Sequence, residues 1–66
     1  MKVGNKIKEY REKSNMTQED LAEKSAVSRN TISALERGTN TNVTYEIMER
    51  ISKALNKKVS TIFFEE

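Results

Sequence analysis

Residues 17–38 read TQEDLAEKSAVSRNTISALERG, and this stretch decides the fold. It divides into two short amphipathic segments around a tight turn. Thr17 can cap a helix with its hydroxyl, and Glu19 and Asp20 suit the positive end of that helix's dipole. Leu21 is the main apolar residue of the segment, while Ala22 is small enough for another helix to cross closely over it. A helix is therefore expected over 17–25. Ala26 and Val27 form the turn, Ser28 caps a second helix over 28–37, and Gly38 ends it in the left-handed conformation common after a helix. Within that second helix Ile32 and Leu35 share an inward face. Arg29, Asn30, Ser33 and Arg37 fall on the outward arc at i, i+1, i+4 and i+8.

Working outward, Val3, Ile7 and Tyr10 make a single apolar stripe at i, i+4 and i+7, which predicts a helix over 3–14. Asn15 suits the left-handed position after its end, and Met16 returns the chain to the core. After Gly38, the run TNTNV is a polar loop without periodicity. Thr44 caps a helix over 44–55 with Tyr45, Met48, Ile51, Ser52 and Leu55 as its inward stripe, Ile47 at the stripe's edge and Asn56 as the stop. In the last segment, KKVSTIFFEE, Val59, Ile62 and Phe63 fit one helical turn, although their residue types also favour strand. A short helix over 59–64 is the expectation, since no other convincing strand exists to pair with it. The alternative is a β contact through residues 1–3 of a dimer. With no repeat, linker or low-complexity region, the reading is one all-α, five-helix domain over 1–66.

The chain's 66 residues, 6% of them aromatic and none of them cysteine, support one modest core. Without cysteine or histidine there is no disulfide, thiolate metal site or imidazole base, and no cofactor or metal is expected. A reduced, cytoplasmic setting fits. No apolar run approaches the roughly 20 residues that cross a bilayer, the opening MKVGNKIKEY lacks a secretory signal's apolar stretch, and the chain is expected to be used whole. The net charge of +2 is compatible with a polyanionic partner but too mild to identify one. Its distribution says more. Lys2, Lys6, Lys8, Arg11 and Lys13 make the opening basic, whereas Glu19, Asp20 and Glu23 make the next segment acidic, so any phosphate contact is expected to be local and geometric.

Two helices joined by so short a turn can cross steeply when the crossing residue is small and flanking apolar residues anchor both to a third helix. Ala22, Val27, Ile32 and Leu35 meet those needs. The second helix can then protrude into a DNA major groove, whose width of ~12 Å admits one helix. Residues 7–38, IKEYREKSNMTQEDLAEKSAVSRNTISALERG, resemble the phage repressor and Cro type of helix-turn-helix domain, also called the xenobiotic-response-element family. KALNKKVSTIF is similar to that family's fourth and fifth helices. The resemblance rests on Arg11, Thr17-Gln18, Leu21-Ala22, Val27-Ser28, Ile32-Ser33 and Glu36 followed by Gly38. It implies a compact lambda-repressor-like fold with the helix-turn-helix as helices 2 and 3.

The resemblance further implies that Gln18 grips a phosphate and can touch the recognition helix, and that Thr17 and Ser28 are caps lying at the DNA backbone. Arg29, Asn30 and Ser33 match base-reading positions. Arginine can donate twice to guanine and asparagine can pair bidentately with adenine, while Ala34, at a further contact position, offers only an apolar touch to a thymine methyl. Arg37 either touches phosphate or stabilises the negative end of its helix. Arg11 and Glu36 match an internal ion pair between the first and third helices. Three features depart from the family pattern. Ala26 stands where glycine is usual, so a left-handed turn there would be strained; Lys58 stands where serine, threonine or proline often opens the fifth helix; and TNTNV lacks the basic residues that many relatives place near phosphates.

These readings converge on a sequence-specific, double-stranded-DNA-binding transcriptional regulator, bacterial or phage-encoded. A homodimeric repressor is expected, paired through the fourth and fifth helices with Ile47, Ile62 and Phe64 as interface candidates and no small-molecule effector evident. A two-fold dimer would set its recognition helices roughly 34 Å apart on a pseudo-palindromic operator. The alternative is a protein-interaction adaptor of the same fold, antitoxin-like or coactivator-like. An enzyme is the weakest reading, because no nucleophile-base pair or phosphate loop is present.

Overall fold

The computed structural model describes residues 5–39 and 43–64, apart from the side chain of Phe64. Five helices follow one another: α1 (Ile7–Lys13), α2 (Gln18–Ser25), α3 (Arg29–Arg37), α4 (Tyr45–Ala54) and α5 (Ser60–Phe64), the last a single turn of π-helical pitch. No strand occurs among the described residues. The C-terminal segment is thus helical; the pairing through residues 1–3 and the Val3 end of the first stripe lie outside the described residues.

Side chains cap the starts of α2, α3 and α4. Thr17 and Asp20 form a reciprocal capping box, in which the Thr17 hydroxyl accepts from the Asp20 amide and the Asp20 carboxylate from the Thr17 amide, both at 3.0 Å. Ser28 and Thr44 cap α3 and α4 by accepting from the Thr31 and Ile47 amides. At the other ends, Asn15, Ala26, Gly38 and Asn56 all have positive φ. Asn56 closes α4 in a Schellman arrangement: its amide reaches the Lys53 carbonyl at 3.0 Å, and the Lys57 amide reaches that of Ser52 at 2.9 Å.

Two sequence expectations need correction. The first helix begins at Ile7 and not at residue 3, for Asn5 and Lys6 are non-helical. The Asn5 carboxamide accepts from the Ile7 amide and donates to the Leu35 carbonyl, while the Lys6 amide is drawn to the Ile62 carbonyl at 2.8 Å. Those bonds hold this segment against α3 and α5 instead of continuing α1. Tyr45 is the second correction, being 62% exposed. It opens the first turn of α4, where Ile47 and Met48 supply the apolar contact, and its phenol keeps its hydration.

One core unites the helices. Ile7, Leu21, Val27, Ile32, Leu35, Ile51, Leu55, Ile62 and Phe63 are buried, with Tyr10, Met16, Ile47, Met48 and Val59 packed against them. Val27 plugs the α2–α3 turn into this core. Ser25 and Ser52 are buried on the packed pair α2 and α4. Ser25 Oγ donates to the Leu21 carbonyl at 2.7 Å, whereas Ser52 Oγ has no hydrogen-bond partner among the described residues.

Candidate nucleic-acid interface

The interface is built from α3 upward. Ile32 and Leu35 anchor its inner face, so Arg29 and Asn30 in its first turn are exposed, while Ser33 and Ala34 are half-buried. Neither the Arg29 nor the Asn30 side chain has a hydrogen-bond partner among the described residues, and their donors and acceptors face solvent unspent. Ser28 sits just before them, its hydroxyl accepting from the Thr31 amide at 3.1 Å and donating to Thr31 Oγ1 at 3.0 Å. Arg37 is exposed in the last turn of α3, against the negative end of the dipole.

A buried polar network fastens the other end of α3 to α1 and α2. Arg11 Nε donates to Glu36 Oε2 at 2.7 Å and Nη2 to Glu36 Oε1 at 3.2 Å, while Nη1 donates to the Met16 carbonyl at 2.7 Å. Only 10% of the Arg11 side chain and 5% of the Glu36 side chain reach solvent, so this bidentate pair is shielded from salt. Burial alone would push the Glu36 carboxyl up. The hydrogen bonds from Arg11 and Gln18, with the charges of Arg11 and Lys8, outweigh that and hold it below its usual value. The hydrogen bond to Glu36 is also the main reason that the Arg11 guanidinium is raised.

Gln18, the first residue of α2, belongs to this network: its Nε2 donates to Glu36 Oε1 at 3.0 Å. A carboxylate only accepts, which fixes the carboxamide with nitrogen toward Glu36. One Nε2 hydrogen remains for an outside acceptor. Beside it, exposed Thr17 is occupied with its capping box, and the Asp20 carboxyl is lowered chiefly by the Thr17 amide bond.

The structure thus gathers Thr17 and Gln18 at one end of the helix pair, and Ser28, Arg29 and Asn30 after its turn. It does not offer Ile62 as an interface residue, since Ile62 is 1% exposed within the single chain and belongs to the core. Ile47 is half-buried on α4, and the Phe64 side chain lies outside the described residues. Asn5 escaped the sequence reading, although a short amide side chain just before a helix is a usual capping signal. The resemblance implied a Gln18 contact with the recognition helix, and the structure makes it to Glu36; spacing alone does not single out that partner, because the two stand far apart in the chain and meet only through the α2–α3 crossing.

A helix-turn-helix profile matches residues 7–62 of this geometry, from the first residue of α1 into α5. The chain belongs to the Cro/repressor-type helix-turn-helix family. Among its helix-turn-helix relatives, the HTH-type transcriptional regulator SinR of Bacillus subtilis is 33% identical over 63 residues, covering 96% of this chain and 57% of SinR. An uncharacterized HTH-type transcriptional regulator of Methanocaldococcus jannaschii is 44% identical over 62 residues, covering 94% of this chain and 92% of that protein. A chain from a solved SinR/SinI protein complex superposes with a TM-score of 0.82 at 34% identity, over 89% of this chain and 57% of that one. This helix-turn-helix chain therefore spans little more than half the length of SinR.

Proposed function

We propose that this chain is a sequence-specific, double-stranded-DNA-binding transcriptional regulator that reads a major groove through the exposed first turn of α3. The observation that carries the reading is the pairing of Arg29 and Asn30, both exposed and without a side-chain partner among the described residues, on a helix whose inner face Ile32 and Leu35 bury in the core. Arg29 would donate twice to a guanine edge and Asn30 would pair with adenine, with Ser33 and Ala34 at the margin of the contact. Gln18, through its remaining amide hydrogen, and Thr17, Ser28 and Arg37 would hold the phosphate backbone and set the register. The relatives' naming as transcriptional regulators supports the same class of function.

The reading extends to a homodimeric repressor that blocks a promoter by occupancy, with α4 and α5 pairing around Ile47 and Phe64. Sedimentation at high micromolar concentration checks the dimer: a monomer throughout, unaltered by Phe64→Ala, contradicts it. A second reading, a protein-interaction adaptor of this fold, draws on the solved relative's being in complex with a protein called SinI. The polar first turn of α3 favours DNA over that alternative, since a docking helix ordinarily presents apolar or aromatic anchors. Selection of bound sequences from a random duplex pool separates the two. A recovered pseudo-palindromic motif is expected, and a pool without enrichment at moderate salt overturns the DNA reading.

A further inference from the structure

The cations of this chain are concentrated away from α3. Where the C-terminal ends of α2 and α4 meet, a shallow groove is lined by Lys24, Arg50, Lys53 and Asn56. A second groove shares Lys53 and Asn56 with it and adds Lys57, Lys58 and Thr61. The two form one continuous band, and no carboxylate among the described residues lines either. Arg50 is paired with Glu46 at 3.0 Å, but Lys24, Lys53, Lys57 and Lys58 have no ion-pair partner among the described residues. By contrast, α3 carries only Arg29 and Arg37.

The Schellman closure of α4 creates the cluster. Left-handed Asn56 sends the chain back over the last turn, which brings Lys57 and Lys58 beside Lys53. The Lys57 ammonium lies 5.3 Å from the centre of the Tyr10 ring, which restrains its side chain. Dipole compensation accounts for Lys24 and Lys53, each in the last turn of its helix. It does not account for Lys57 and Lys58, which lie beyond the end of α4. Like charges gathered on one surface repel one another, and an anionic occupant would relieve that repulsion.

The residue types favour one class of occupant. Lysine is depleted at protein–protein interfaces, where aromatic residues, methionine and arginine dominate, and among the described residues this band is lined by no aromatic or large apolar anchor. Lysines interleaved with the carboxamide of Asn56 and the hydroxyl of Thr61 are instead the groups that contact phosphate oxygens. Lys24 stands about 9 Å along α2 from Gln18, at the rise of 1.5 Å per residue. The band therefore reaches phosphates other than those within range of the α2 N-terminus. We propose that the band of Lys24, Lys53, Lys57 and Lys58 binds the phosphate backbone of duplex DNA, without regard to sequence, outside the groove that α3 enters. It gives the protein a second DNA contact, suited to holding flanking DNA or to sliding between sites.

This contact is independent of base reading by α3, so it is tested with that face silenced. The Arg29→Ala/Asn30→Ala variant is titrated with a long duplex of scrambled sequence across a salt series, with amide shifts followed by NMR. The expected result is residual binding that moves the amides of Lys24 and of Lys53 through Thr61. Adding Lys53→Gln and Lys58→Gln should lower the slope of log K against log salt by about 1.8, the value for two phosphates. An unchanged slope overturns the proposal, as do shifts confined to α3 and the start of α2. Polyglutamate moving the same amides as strongly as DNA at equal salt also overturns it, since the occupant is then an acidic protein segment.

Discussion

Gln18 Nε2 donates to Glu36 Oε1 across 3.0 Å, and the same oxygen accepts from Arg11 Nη2 at 3.2 Å. The residue that would grip a phosphate is therefore already oriented in the free protein by the residue that closes the buried ion pair. Holding Gln18 in place removes part of the entropy cost of its immobilisation on binding. Gln18→Ala should weaken binding to unrelated sequences alike, by about 1.5–3 kcal/mol, the range for one hydrogen bond to a charged group. Titration against two dissimilar duplexes at one salt concentration checks this, and a loss confined to one of them assigns Gln18 to base reading.

The ion pair itself governs stability. Glu36→Ala leaves the Arg11 guanidinium buried without its carboxylate, at a cost of about 3–5 kcal/mol. That is comparable with the whole stability of a domain this small. The variant should be largely unfolded at ambient temperature by circular dichroism, whereas Arg11→Met/Glu36→Leu, which buries no charge, should recover much of the loss. Equal damage from the single and double changes would show that the pair's shape, not its charge, is what the core requires.

Acid sensitivity follows from the same groups. Glu36 and Asp20 both sit below their usual carboxyl values in the folded chain. A lowered carboxyl stabilises the fold fully above its unfolded value, 4.5 for Glu36, and loses that contribution as pH falls through the folded value. Arg11, raised chiefly by its hydrogen bond to Glu36, contributes fully at and below neutrality and loses its contribution only at extreme alkalinity. The chain contains no histidine or cysteine whose side chain would titrate near neutrality. Urea midpoints should be flat from neutrality down to about pH 5 and should fall below it; Glu36→Gln should be less stable at neutral pH and should flatten the acid limb.

Ala26 holds φ 60 and ψ 33 at the turn between α2 and α3. Asn15 and Asn56 adopt the same region at low cost through their short amide side chains, and Gly38 does so with no Cβ at all. Ala26 has neither advantage. Ala26→Gly should raise stability by about 1 kcal/mol, measured by chemical denaturation, without altering DNA specificity. A destabilised glycine variant would mean that the added freedom of the unfolded chain outweighs the relieved clash.

Much of this architecture was legible because its signals are local. Thr17, Ser28 and Thr44 announce three helix starts by their hydroxyls, Asn15, Gly38 and Asn56 announce the ends, and the spacing of Ile32 and Leu35 fixes which arc of α3 faces outward. What escaped the sequence depends on neighbours brought together by folding. Tyr45 fits the inward period of α4, yet period alone does not say where the core stops. Ile62 was a candidate for a dimer face and is core, because α5 folds back on α1 and meets the Lys6 backbone. The basic band was invisible for the same reason: Lys24 and Lys53 lie on different helices, and only the α2–α4 packing makes them one surface.

Base reading by the exposed first turn of α3 underlies the proposed function. Sequence selection from a random duplex pool, run in parallel on the native chain and on Arg29→Ala, tests it most directly. One enriched motif is expected, in which Arg29→Ala relaxes a single position of each half-site, at about 1–3 kcal/mol of discrimination, and leaves the other positions intact. An identical motif from both proteins, with equal affinities at matched salt, would contradict it.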